Sequence, residues 1–167
     1  MIETGPSSQP LWSPSQDVAQ MQGRERQPPN NIEWGALLRE PSRPVSSLEA
    51  ATVPNQPGVY LWRRDGAAVY VGTATDLRGR LWGKHLSAGL SLASSSLRRN
   101  VCQLLFGIPP TATSNPGRLK VTRAQADAIR AWLGGCDLSW QTCETPAAGA
   151  SLERRLRAAF MPPLNRI

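Results

Sequence analysis

Histidine is all but absent from this chain: His85 is the only one in 167 residues, beside two tyrosines, two phenylalanines and three cysteines. Cys102, Cys136 and Cys143 are odd in number and widely spaced, which argues against both a disulfide framework and the close ligand pairs of a structural zinc site. No apolar run follows a basic N-terminus, so no signal peptide is expected, and no apolar stretch reaches the length of a membrane span. No internal repeat is found. These absences lead us to expect a reducing, cytoplasmic setting without a membrane partner. They also leave few residues from which a reactive centre can be built.

Positive charge, by contrast, is plentiful and unevenly placed. Residues 1–43 hold four arginines against five acids, whereas residues 44–167 hold fifteen Lys plus Arg against seven acids, so the first segment carries −1 and the remainder +8. A compact basic domain attracts polyanions, phosphate backbones above all; a merely solubilising charge excess is the plainer alternative. Residues 5–16 and 27–31 are rich in Pro, Ser, Gln, Asn and Gly, and residues 1–45 are read as a largely disordered tail. Within it Trp34, Leu37 and Leu38 have helical spacing, so a short helix near 32–40 is expected, ended by Pro41 and Pro44. Residues 54–167 leave room for one domain with a modest core.

That domain opens on the most informative stretch of the chain. Gly58-Val59-Tyr60 and Tyr70-Val71-Gly72 flank an Arg64-Asp65-Gly66 turn, the pattern of a β-hairpin with strands over about 58–63 and 68–72. Two phenol hydroxyls on neighbouring strands form a stiff, polar foundation for a site, although aromatic residues also favour sheets for packing alone. A helix over about 76–86 follows, which Thr75 or Asp76 can cap, and a second helix follows Ser94-Ser95-Ser96 with Leu97, Val101, Leu104 and Leu105 on its buried side. After a proline-rich loop, Thr122 and Gln125 make a capping-box pattern for a helix that closes near Gly134-Gly135. Leu138 to Thr142 alternates as a third strand, and the chain then enters a helix carrying Glu153, Leu156, Ala159 and Phe160. The expected fold is α+β, a small three-stranded antiparallel sheet flanked by helices.

With Val in both Ile positions, these two tripeptides resemble those that name the GIY-YIG nuclease family. The rest of the family's order is here too: a helical arginine at Arg80, ten residues after Tyr70, a late helical glutamate at Glu153, and Asn165 close behind it. The resemblance covers roughly residues 54–167. It implies a sheet-and-helix nuclease domain in which Tyr60 positions or deprotonates a water, Tyr70 hydrogen-bonds the water or phosphate, Arg80 contacts phosphate oxygens, Glu153 binds Mg²⁺ or Mn²⁺, and Asn165 supports the site. No small-molecule cofactor is implied. Family members that have a helical histidine often carry it four residues after the arginine. Here Lys84 stands at that spacing and His85 one residue beyond, rotated by about 140° from Arg80 on a regular helix. Gly83 can loosen that turn. An imidazole titrates where proton transfer at neutrality needs it, so His85 is the expected proton carrier, with Lys84 as the substitute.

The plain alternatives are an ion pair of Glu153 with Arg157 on an exposed helix face and a solvated Arg80. Arg98, Arg99 and Lys120, with Arg118 and Arg123, are candidate contacts to a nucleic-acid backbone. Three functions fit these residues: a divalent-metal-dependent DNA endonuclease acting by direct water attack, a non-catalytic nucleic-acid-binding module on the same fold, and an interaction protein whose basic face meets an acidic partner. The chain reads either as a minimal nuclease or as a homodimer whose two sites cut opposite strands.

Overall fold

Hydrophobic spacing, caps and turn chemistry set the elements in chain order. The structure is a computed structural model that describes residues 27–115 and 119–167; most of the expected disordered tail, residues 1–26, lies outside the described residues. The first helix, α1 (Ile32–Arg39), is capped by Asn31, whose side chain accepts from the Trp34 amide at 2.8 Å, and it buries Trp34 and Leu37 while Leu38 stays partly exposed. A two-residue strand, β1 (Arg43–Pro44), follows. Next come β2 (Gly58–Arg64) and β3 (Ala67–Ala74), joined by Asp65 and Gly66 with φ of 50° and 78°. Positive φ at both central positions is the turn that matches the twist of a hairpin, and Asp-Gly adopts it readily.

A short α2 (Leu77–Arg80) continues into a π-helical turn over Leu81–His85. The caps of the following helices are those the sequence signals. Ser95 caps α3 (Ser96–Phe106), and Thr122 and Gln125 form a complete capping box on α5 (Arg123–Gly134). Between them a single turn, α4 (Pro110–Thr113), occupies part of the stretch expected to be loop. Then come β4 (Asp137–Thr142) and the long α6 (Pro146–Ala159), capped by Thr145, and a 3₁₀ turn over Pro163–Asn165 ends the fold.

Among the described residues the sheet has four antiparallel strands in the order β1-β4-β2-β3, against the three expected. The fourth is β1, which pairs Arg43 with Leu138 and Pro44 with Asp137 at one edge. Two residues are too few for any alternation to show in a sequence, and Pro44 fits only where a strand needs no inward donor.

Register then divides the sheet into two faces. Tyr60 lies between Gly72 and Trp140, and Trp62 between Tyr70 and Leu138, so both tyrosines share one face. That face packs on Leu77, Leu81, Leu97, Val101, Ile129 and Trp132 of α2, α3, α5 and the π turn. Val59, Leu61 and Val71 point the other way, onto Trp34, Leu37 and Leu156 of α1 and α6. The Trp34 indole also donates to the Leu156 carbonyl at 2.9 Å and meets Phe160 edge-on. The helix near 32–40 is thus bonded directly to the helix that bears Glu153.

Candidate active site

The tyrosine face owes its shape to two glycines. A side chain at Gly72 would place its Cβ 2.5 Å from the Tyr60 hydroxyl, so the absence of one lets the Tyr60 ring lie across β3. At Gly58 a Cβ would strike the Gln141 carbonyl and Leu77. Both glycines of the paired tripeptides are therefore required by close approach. The Tyr60 and Tyr70 rings stack with centroids 6.4 Å apart.

His85 completes the cluster. On a regular helix it would turn away from Arg80, but the chain instead closes a wide turn in which the Leu86 amide donates to the Leu81 carbonyl, five residues back, at 3.0 Å. This wider turn over Leu81–His85 leaves His85 buried and Lys84 exposed. Single π turns of this kind recur at functional sites. The His85 ring is buried at 1% exposure; its Nε2 lies 2.7 Å from the Tyr60 hydroxyl and its Nδ1 2.7 Å from the Ser95 hydroxyl. Tyr70 in turn shares a 2.8 Å hydrogen bond with Ser96. Both serines are legible in the sequence as a helix start, but not as partners of residues on the hairpin and the π turn.

Electrostatics ties the distant elements to this cluster. Burial, then the neighbouring Tyr70, raises the Tyr60 pKa well above its usual value; Glu153 adds to the rise and Arg80 opposes it. Tyr70 is raised too, mainly by burial and also by Glu153, while Ser96, Arg157 and Arg80 pull it back. The charges of Arg80 and Glu153 are thus both felt at both phenols. His85 is pushed down to about 3 by burial and then by Arg80 and Arg98. It is neutral across the physiological range, which corrects the expectation of an imidazole titrating near neutrality: a ring sealed from water loses the charged form.

Glu153 and Arg157 pair loosely at 3.4 Å and line an open groove with Ala150, Arg154 and Met161. Asn165 has both ends of its amide engaged with Val71, accepting from its N–H and donating to its carbonyl, each at 2.8 Å. It supports the central residue of the second tripeptide and does not face the groove with a free amide. Arg80 donates to the Ser94 carbonyl at 3.3 Å and is half-buried.

Among the expected backbone contacts, Lys120 is exposed. Arg99 is half-buried and donates to the Leu92 and Ala93 carbonyls. Arg98 is corrected: at 2% exposure it donates to the Gly89 and Ser91 carbonyls, so it staples a loop and has little surface to offer a phosphate.

The family model described as the GIY-YIG catalytic domain matches residues 38–166. The chain belongs to the GIY-YIG family. A comparison with curated proteins gives no match. The GIY-YIG domain assigns the chain to a nuclease-type function in general, and its boundaries take in β1 and the end of α1 as well as the hairpin. Among the described residues, no helix is long and apolar enough to cross a membrane.

Proposed function

We propose that this GIY-YIG domain is a divalent-metal-dependent DNA endonuclease that hydrolyses phosphodiester bonds by direct attack of water. One observation carries the reading: two buried, neighbouring phenols, Tyr60 bonded to the neutral His85 and Tyr70 to Ser96, both feel the charges of Arg80 and Glu153. An apolar structural hairpin has no need of that combination.

In-line hydrolysis needs an oriented water and compensation for charge on the phosphoryl oxygens. The Tyr60 hydroxyl, held by His85, orients the water, and the Tyr70 hydroxyl, held by Ser96, hydrogen-bonds a phosphate oxygen. Arg80 contacts phosphate oxygens with its planar guanidinium, as two-point recognition requires. Both phenols stay protonated at neutrality because burial disfavours the phenolate, so they act first as hydrogen-bonding groups.

The donor set fits a hard cation. Among the described residues no three His, Cys, Asp or Glu side chains gather to hold a metal, which suits Mg²⁺ or Mn²⁺ held by one carboxylate, substrate phosphate and water, and does not suit zinc. Glu153 is the residue that would hold it, released from its loose pairing with Arg157. A bound divalent ion supplies Lewis-acid compensation of charge on the phosphoryl and leaving oxygens.

Supercoiled plasmid and branched DNA incubated in Mg²⁺ or Mn²⁺ test the proposal. Wild type nicks or linearises the DNA, and Glu153→Ala binds it without cutting. If both proteins bind steeply with falling salt yet both leave the DNA intact, the domain is a binding module and not an enzyme.

A further inference from the structure

Ser95 has more to do than cap a helix. Its hydroxyl oxygen accepts from the Arg98 amide at 3.1 Å, the usual bond of an N-cap serine. The residue is fully buried, and its remaining neighbour among the described hydrogen bonds is His85 Nδ1 at 2.7 Å. A hydroxyl carries one hydrogen. If His85 Nδ1 bore the ring proton, it would donate to Ser95, and the serine's own hydrogen would be left buried without an acceptor. If Nδ1 bears the lone pair, Ser95 donates to it, Nε2–H donates to Tyr60, and the Tyr60 hydrogen has the neighbouring Tyr70 hydroxyl as its acceptor. Buried donors are rarely left unmade.

The second arrangement fixes the far side of the ring. With Nδ1 bare, the proton of the neutral imidazole sits on Nε2 and points at the Tyr60 oxygen 2.7 Å away. Tyr60 then accepts from His85, and its own hydrogen is free to turn towards the Tyr70 hydroxyl. The alternative tautomer would draw the Tyr60 hydrogen back into the protein. We infer that Ser95 is a positioning residue, which holds His85 in the Nε2–H tautomer so that Tyr60 accepts from the ring and keeps its own hydrogen for the Tyr70 side of the cluster. The inference rests on the nuclease reading for its meaning in catalysis, but the tautomer itself is a property of the protein without DNA.

Because His85 is the only imidazole in the chain, a long-range ¹H–¹⁵N spectrum of the full protein near pH 7 reads its tautomer without assignment ambiguity. The expected result is a protonated Nε2 and a bare Nδ1; a protonated Nδ1 in the wild type overturns the inference. Ser95→Asp keeps a side chain that caps α3 but offers Nδ1 only an acceptor, so it should move a proton onto Nδ1. An unchanged ring in that variant also overturns the inference. Ser95→Ala should lower the cleavage rate about tenfold, against ~100-fold or more for loss of a full acid–base or proton-positioning group, with DNA binding and circular dichroism unchanged and activity restored by Ser95→Thr. A wild-type rate in Ser95→Ala removes the positioning role. If the wild type cuts no DNA at all, the nuclease reading fails while the spectrum still decides the tautomer.

Discussion

Val59, Tyr60 and Leu61 are consecutive residues of one strand, yet they face two different environments. The Val59 and Leu61 side is dry and generic: aliphatic side chains meet Trp34, Leu37 and Leu156, held by area and close packing. The Tyr60 side is also buried, but at its centre Tyr60, His85 and Ser95 form one hydrogen-bonded row, with the Tyr70–Ser96 pair beside it. One face can absorb small changes of shape; the other cannot lose one partner without stranding another. The two-residue period of a strand therefore puts the polar cluster on one face and an apolar contact on the other, and substitutions on the two faces should differ in what they do to activity.

The largest contrast is expected from Tyr60→Phe. It keeps the ring that packs over Gly72 and removes only the oxygen, so plasmid cleavage should fall by ~100-fold or more, while the buried His85 Nε2 left without its partner should cost about 1–3 kcal/mol in urea denaturation. On the opposite face, Trp34→Ala empties a fully buried indole position and removes the bond to Leu156. Its expected cost is about 3–5 kcal/mol, read from chemical denaturation, with near-wild-type cleavage by whatever fraction stays folded. A variant of Trp34 that remained stable but inactive would break the division between the faces.

The polar face should also show itself in acid. His85 has a folded-state pKa of about 3, below its usual ~6.5 in an unfolded chain. Between those values the unfolded chain binds the proton and the folded one does not, so this group's contribution is complete above about pH 6.5 and is lost as pH falls towards 3, by up to about 1.4 kcal/mol per pH unit. Denaturation midpoints at pH 7 and pH 5 should differ more for wild type than for His85→Gln. Equal losses would mean that the ring is not held neutral. The smallest effect belongs to the surface. Arg155 and Glu33 pair across α6 and α1 but are substantially exposed, and Arg155→Ala should change stability by less than about 1 kcal/mol.

The same division explains what could be read from the chain. The hairpin, its Asp-Gly turn, the capping box at Thr122 and Gln125, and the helix after β4 all arise from neighbours in sequence, and each carried its own local signal. The two-residue β1 carried none, and the single turn of α4 was hidden among prolines. At the site, Tyr60, Tyr70, Arg80 and Glu153 stood out by type and order. The partners of the phenols did not. Ser95 and Ser96 read as a helix start because that role is local, whereas their bonds to His85 and Tyr70 span 10 and 26 residues. The position of His85 turns on the π closure over Leu81–His85, a choice between two helical closures that spacing alone leaves open. Arg98 differs from its expected role for a related reason: its charge is visible in the sequence, but the loop carbonyls that consume it are not.

The clamp between Asn165 and Val71 has a consequence for assembly. Among the described strands β3 is an outer one, and such an edge ordinarily offers amides and carbonyls to any passing extended chain. At Val71 both groups are already taken by one side-chain amide. A second molecule cannot continue the sheet through the middle of that strand unless the last turn of the fold first lets go, so self-association by strand addition is blocked at the point where it would bury the tyrosines' own scaffold.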